Sequence, residues 1–300
     1  MANVNETYAG RRAQSRPPST GYVMCKTLGR MGRLGNQMFQ YALLLGVAKQ
    51  TGLRPSLPYA NKSPGNQWTN MAIDEVFGIQ VADCSQLRPN ILIREPHNDI
   101  RYLPRIAALT AAEGSIDFFG YFQSEKYFKH AEQEVRAAFS FADSCIRDCA
   151  TESIESSRSS SDTGKVVSIH VRRGDYLRLP LNFPFSAVYY ERAMEHITQS
   201  LGGKCHFIVV SDDIPWCKSF FPTMNRFGSF TYSEGTSMTQ DLAFIRATDH
   251  CIISNSSFSW WGAWLNESPG KIVTMPDPWF GPRGPKGYDL YVTGWKIIRG

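Results

Sequence analysis

The chain has 300 residues, of which 42% are hydrophobic and 13% aromatic, values of a globular protein that exclude wholesale disorder. Its formal charge of +5 is modest and its basic residues are scattered, which argues against a nucleic-acid partner and suits a small anionic ligand. The longest apolar run, residues 41–48, falls far short of the ~20 residues of a membrane-spanning helix.

Residues 1–20 are polar and basic with no apolar stretch of a signal peptide, and are expected to form a disordered arm. Residues 22–27 read as a short strand. GRMGRLGNQ (29–37) follows it, and residues 38–49 read as a helix apolar on nearly all sides, stopped at Gly52. A glycine-rich turn between strand and helix brings backbone N–H groups toward a ligand, and the helix amino end favours negative charge. The spacing is neither the dinucleotide nor the P-loop pattern, and a tight packing turn is the competing reading. Residues 67–141 have a mixed pattern, with 125–139 reading as an amphipathic helix. The serine-rich stretch 151–164 reads as a linker. The expected organisation is a first domain over 21–150, this linker, and a second domain over 165–300.

The second half alternates cleanly. Strand 165–171 runs into HVRRGDY (170–176), and helix 187–200 ends at Gly202-Gly203. Strand 205–210 ends in Ser211-Asp212-Asp213, and a further strand lies near Phe230. Ser237 with Gln240 three residues on is a capping box opening another helix. Strand 251–254 leads into helix 258–265, and 271–275 gives one more strand. Such alternation argues for a parallel, doubly wound sheet, in which ligands dock outside the carboxyl ends of the strands.

Three clusters sit at such ends. In HVRRGDY, the Arg172 and Arg173 guanidinium forks suit a phosphate group, which they grip bidentately without losing their proton. The Asp212 and Asp213 carboxylates lack D-x-D spacing, so turn capping is favoured over a metal. In SNSSFSWWGAWL (254–265), Ser254, Asn255, Ser256 and Ser257 offer neutral donors where a strand ends and a helix opens, a second anion site by the same physics. Trp260 and Trp261 behind them read as core. Asp241 lies in a helix's first turn, where pairing with the helix dipole competes with ligand contact.

The seven cysteines are widely spaced without a CxxC, and read as reduced, packed thiols. Sequons at Asn5, Asn61, Asn255 and Asn266 leave a secretory lumen open as the alternative to a cytosolic protein.

GRMGRLGNQMFQYA, FGYFQSEKYF (119–128), HVRRGDY, VVSDD and SNSSFSWWGAWL occur in that order. Together they resemble the α-1,2-fucosyltransferase family, glycosyltransferase family 11, over residues 22–280. The resemblance implies an α/β, GT-B-like architecture of two Rossmann-type domains facing across a cleft. It also implies GDP-β-L-fucose as donor, inversion at the anomeric carbon, and no metal or cofactor. The acceptor it implies is a terminal β-galactoside, fucosylated on its 2-hydroxyl. Another acceptor or linkage and a non-catalytic GDP-sugar binder are the alternatives. Animal members are usually Golgi membrane proteins and bacterial ones soluble or peripheral; with no anchor seen, a cytoplasmic or membrane-peripheral location is expected, and the Golgi is the alternative.

Residues and resemblance together make Arg172 the expected main pyrophosphate ligand, Arg173 the second, and His170 a hydrogen-bond partner nearby. Asp175 is expected to orient the arginines. In relatives the glycine-rich turn touches the donor, which carries over to Arg33 and Asn36. The 254–257 run is expected to hold phosphate oxygens and Asp241 the guanine edge. Asp117, Glu125 and Asp175 are candidates for the general base, none favoured by spacing. Acceptor choice is expected in first-half loops such as 58–70.

Overall fold

The computed structural model describes residues 21–61, 70–178 and 186–299. The expected arm at 1–20 and most of the 58–70 loop lie outside them. The first half contains β1 (Tyr22–Met24), α1 (Leu34–Thr51), β2 (Arg54–Leu57), α2 (Ala72–Phe77), β3 (Ala82–Asp83), β4 (Ile91–Arg94), β5 (Asp99–Ile100) and β6 (Ile116–Phe119). Two more helices follow, α3 (Glu132–Ala138) and α4 (Ser144–Ser157). Five of these strands form a wholly parallel sheet in the order β3-β2-β1-β6-β4. β1 lies at its switch point, so the glycine-rich turn after β1 opens at the sheet's ligand edge.

The second half contains β7 (Val166–Val171), α5 (Ala187–Leu201), β8 (Cys205–Ser211), α6 (Ile214–Phe220), β9 (Gly228–Tyr232), α7 (Met238–Ala247) and β10 (His250–Ile252). It ends with α8 (Ser257–Leu265), β11 (Val273–Asp277), β12 (Gly287–Tyr288) and β13 (Lys296–Arg299). Its six-stranded sheet runs β13-β11-β10-β7-β8-β9, again all parallel. β7 is buried along its whole length and β8 up to its last residue, as a sheet covered on both faces requires. Val167, Ile169 and Phe207 pack under α5 and α6, while Val166 and Ile208 face α4 and α7. The sheet's switch point falls between β7 and β10, so HVRRGDY and SNSS leave from adjacent strand ends.

The halves share one apolar core. Its members include Val23, Phe39 and Phe118 from the first half and Trp260, Trp261 and Met275 from the second. The Trp261 ring lies 5.0 Å from Phe39, 5.2 Å from Phe128 and 5.1 Å from Phe139. β12 also pairs with β5 across the halves. The tryptophans are core, as the sequence suggests, but this core joins the two sheets.

Three expectations need correction. The stretch 151–164 is no open linker: α4 runs to Ser157 and a 3₁₀ turn covers Arg158–Ser160. Ala150 and Ile154, four residues apart, are the buried positions of α4, and Ile154 packs with Val166, Ile208 and Phe244. Two apolar residues one turn apart seat this polar helix on the second sheet. Residues 125–139 form two 3₁₀ turns, Glu125–Tyr127 and Lys129–Ala131, before α3, and not one helix. All seven thiols are free, but Cys145 and Cys149 lie exposed on α4 while the other five are buried.

Candidate active site

A cleft of about 850 Å³ separates the two halves on their ligand edges. Its walls come from the turn after β1, the starts of α1, α2 and α8, and the loops after β7 and β8. Gly32 holds φ +81° in that turn, a conformation that favours glycine.

Two helix amino ends meet at the cleft. α1 has Arg33 as its N-cap and α8 has Ser256; neither side chain makes the cap hydrogen bond, and neither first turn carries an acid. The helices approach so closely at Gly35 that a Cβ there would lie 2.5 Å from the Phe258 nitrogen and the Ser257 carbonyl carbon. Asn36 ties them together. Its Oδ1 accepts from Ser257 Oγ at 3.0 Å and from Gln123 Nε2 at 2.6 Å. Backbone N–H groups left over at each helix start, plus the two dipoles, make this region receptive to an anion.

Cationic side chains stand beside it. Arg172 Nη2 contacts Asp175 Oδ1 at 2.6 Å and its Nη1 contacts Asp212 Oδ2 at 2.9 Å. Arg33 Nη2 lies 3.4 Å from the other Asp175 oxygen. Burial, and then the Arg172 charge, holds the Arg33 guanidinium below its ordinary value. Asp175 thus bridges two guanidinium groups that both line the cleft. His170 also lines it, its Nδ1 2.8 Å from Ser254 Oγ. Burial first, and Arg172 second, push His170 down to about 3, so its imidazole is neutral at physiological pH. Asp241 reaches the cleft from α7 and accepts from Ser233 and, at 2.7 Å, from Thr236 Oγ1. Burial raises its carboxyl and those hydroxyls oppose the rise.

Not every expected residue arrives. Arg173 is absent from the cleft wall: its Nε meets Asp213 Oδ2 at 3.0 Å and its guanidinium stacks 4.1 Å from the Trp216 ring. Consecutive residues leaving a strand send side chains to opposite sides, so adjacent arginines do not share a target. The run 254–257 divides likewise. Ser256 and Ser257 line the cleft, whereas buried Ser254 holds His170 and buried Asn255 donates from Nδ2 to the Trp279 carbonyl at 3.1 Å. Asp117 and Glu125 do not line it either. Asp117 accepts from the Lys26 backbone N–H at 3.0 Å, and Glu125 from Trp264 Nε1 at 3.0 Å. Asp212 and Asp213 each face an arginine, and among the described residues no cluster of three His, Cys, Asp or Glu side chains is placed to hold a metal.

Sequence reading missed Tyr121, Glu75 and Gln37. Tyr121 lines the cleft from a loop in which Phe122 takes φ 52°, a region that bulky residues seldom occupy. Glu95 holds that loop by accepting from the Tyr121 and Phe122 N–H groups at 2.8 and 2.9 Å, and burial pushes it up to about 7. Buried Gln37 donates to the Gly32 and Asn70 carbonyls at 3.2 and 2.7 Å and accepts from the Ile73 N–H at 3.3 Å, fastening α2 to the glycine turn. The available signal was a pair of glutamines, Gln37 and Gln40, at the start of a largely apolar helix. Of the sequons, Asn255 and Asn266 are buried, with Nδ2 of Asn266 donating to the Thr248 carbonyl at 2.7 Å, which leaves neither open to glycosylation in the folded chain.

Two Rossmann-like halves with parallel sheets, facing across a cleft with an anion-receptive floor, define the GT-B class of glycosyltransferase fold. The chain belongs to glycosyl transferase family 11, whose sequence model matches residues 11–299. It is 28% identical to an alpha-1,2-colitosyltransferase of Escherichia coli over 291 residues, 89% of this chain and 96% of that relative. It is 26% identical to galactoside alpha-(1,2)-fucosyltransferase 1 of Homo sapiens over 265 residues, 83% of this chain and 68% of that relative. The solved apo structure of POFUT1 superposes with a TM-score of 0.51 at 16% identity, covering 88% of this chain and 99% of that one. An Arabidopsis thaliana FUT1 mutant in complex with GDP superposes with a TM-score of 0.51 at 12% identity, covering 85% and 70%. These likenesses establish the fold. Among the described residues no helix is long and apolar enough to cross a membrane.

Proposed function

We propose that this chain is an inverting α-1,2-fucosyltransferase that moves L-fucose from GDP-β-L-fucose to the 2-hydroxyl of a terminal β-galactoside. The observation that carries the reading is the meeting of two helix starts, both without a side-chain cap, beside Arg172 and Arg33 in one cleft. Breaking the glycosidic bond places negative charge on the β-phosphate, and donors already aimed at that position stabilise it without reorganising. In this reading Arg172 and Arg33 take up that charge, and Ser256, Ser257 and the helix-start N–H groups hold phosphate oxygens. Asn36 keeps the two helices in register. Asp241 meets the guanine edge, and Asp175 aims both guanidinium groups. Neutral His170, anchored by Ser254, adds a hydrogen bond without adding charge. Arg173, Ser254 and Asn255 brace the loops and do not touch the donor. The second half binds GDP-fucose and the first half presents the acceptor. The arginines stand where other transferases use a divalent ion, so turnover is proposed to need none.

Incubation with GDP-fucose and lactose in EDTA should give 2′-fucosyllactose, identified by mass spectrometry with linkage analysis. No product with lactose or longer galactosides would refute the assignment, as would loss of activity to chelator restored by manganese. A second donor is favoured by the likeness to a colitosyltransferase along 96% of that relative's length. Colitose is fucose lacking one hydroxyl. A site that hydrogen-bonds this hydroxyl rejects the deoxy sugar by orders of magnitude, so competing the two GDP-sugars decides between them.

A further inference from the structure

The site lacks an assigned group to receive the proton of the incoming hydroxyl. Among the described residues, four carboxylates line the cleft: Glu75, Asp175, Asp212 and Asp241. Asp175 is shared by Arg172 and Arg33, and Asp212 holds Arg172 at 2.9 Å and the Arg173 N–H at 2.9 Å. The oxygens of both carboxylates are thus already engaged by guanidinium or backbone N–H donors. Asp241 is gripped by two hydroxyls on the α7 side, where the second half receives the nucleotide. His170 is buried with Nδ1 engaged by Ser254.

Glu75 differs on each count. It is the one of the four carried by the first half, it is exposed, and its Oε1 accepts from a neutral amide, Asn70 Nδ2 at 2.6 Å. Its position is built. Gln37 fixes the Asn70 carbonyl and the Ile73 N–H, so the residues flanking Glu75 are tied to the same turn that opens α1. The carboxylate therefore lines the cleft from the first half, whereas Arg172 lines it from the second, and its mount is rigid.

Resting on the transferase reading above, we infer that Glu75 is the general base that takes the proton from the acceptor hydroxyl. As the acceptor oxygen bonds to the anomeric carbon, the carbon–oxygen bond to the β-phosphate breaks with its electron pair leaving on GDP. The acceptor proton passes to the Glu75 carboxylate and then to water. Asn70 holds the Glu75 carboxylate through its amide N–H.

The test compares Glu75→Gln and Glu75→Ala with wild type, using lactose and azide as alternative acceptors. Azide attacks as an anion with no proton to lose. Glu75→Gln should lower transfer to lactose by about 10²–10³-fold while GDP affinity and thermal midpoint stay at wild-type values. Glu75→Ala should form fucosyl azide at the wild-type rate. Lactose transfer by Glu75→Gln at the wild-type rate would overturn the inference and leave the transferase reading standing. Equal losses with azide and lactose, or loss of GDP binding, would likewise overturn it, by placing Glu75 in donor binding. A wild-type protein inactive with every acceptor would end both readings.

Discussion

Replacing Gly35 with alanine tests the geometry on which the anion site depends. Inside a helix that change ordinarily stabilises by roughly 0.5–1 kcal/mol, because glycine loses more backbone freedom on folding. Here the new methyl would stand 2.5 Å from the Phe258 nitrogen and from the Ser257 carbonyl carbon. Ordinary contact begins near ~3.5 Å, so the overlap is about 1 Å. Both obstructing atoms are backbone in the first turn of α8, and no flexible side-chain end can swing aside. The helix starts must separate by about that distance. Overpacking of this kind costs about 1–3 kcal/mol, which outweighs the helix-propensity gain and leaves a net loss of about 1–2 kcal/mol. At roughly 2–4 °C per kcal/mol, the thermal midpoint should fall by about 2–8 °C. A 1 Å displacement at the phosphate site should also slow turnover about 10²-fold. Scanning fluorimetry, calorimetric titration with GDP and a transfer assay read the three effects. A variant as stable as wild type, with unchanged GDP affinity, would show that the helix ends do not touch and would remove the anion site built on their contact.

Other expectations follow from neighbouring groups. Arg172→Lys keeps one charge but loses the fork that spans Asp175 and Asp212, so turnover should fall about 10²–10³-fold in steady-state assays while circular dichroism stays unchanged. His170 sits near 3 in the folded chain, against 6.5 for an ordinary histidine, because burial and then Arg172 disfavour its charged form. The unfolded chain therefore takes up a proton below about 6.5 that the folded chain refuses until about 3. Stability on this account is full above about 6.5 and declines as pH falls toward 3. Urea midpoints of His170→Gln should show a shallower decline than wild type over that window. Trp261→Ala should lower unfolding free energy by about 3–5 kcal/mol in urea titrations, since its ring is buried against Phe39, Phe128 and Phe139.

Much of the second half was legible because β7, β8 and β10 are buried on both faces, which writes uninterrupted apolar runs into the chain. Helix ends were legible for local reasons: Gly52 and Gly202 take left-handed conformations at C-caps, and Ser237 with Gln240 forms the reciprocal cap. α4 was misread because composition registers its serines and acids, whereas two residues, Ala150 and Ile154, decide its packing. β3 and β5, two residues each, carry no periodicity to detect. In the site, Arg172, Arg33 and Ser256 could be found because each sits in a motif at a strand or helix end. Arg173 shows the limit of such reading: composition places two cations together, and backbone direction separates them. Glu75 and Tyr121 reach the cleft from segments far apart in sequence, and only tertiary folding brings them into one cleft with Arg172.

The aromatic seam between α1 and α8 has a consequence for how the molecule comes apart. In many two-lobed enzymes each lobe can be produced alone, because the contact between lobes is thin and wet. Here severing the chain near residue 150 would strand Phe39, Phe128 and Phe139 on one fragment and Trp260 and Trp261 on the other, each with an unsatisfied apolar face. Such fragments would clump before they could find their mates. The lobes are thus expected to melt as one body, and any wide rocking of one against the other would have to break this seam.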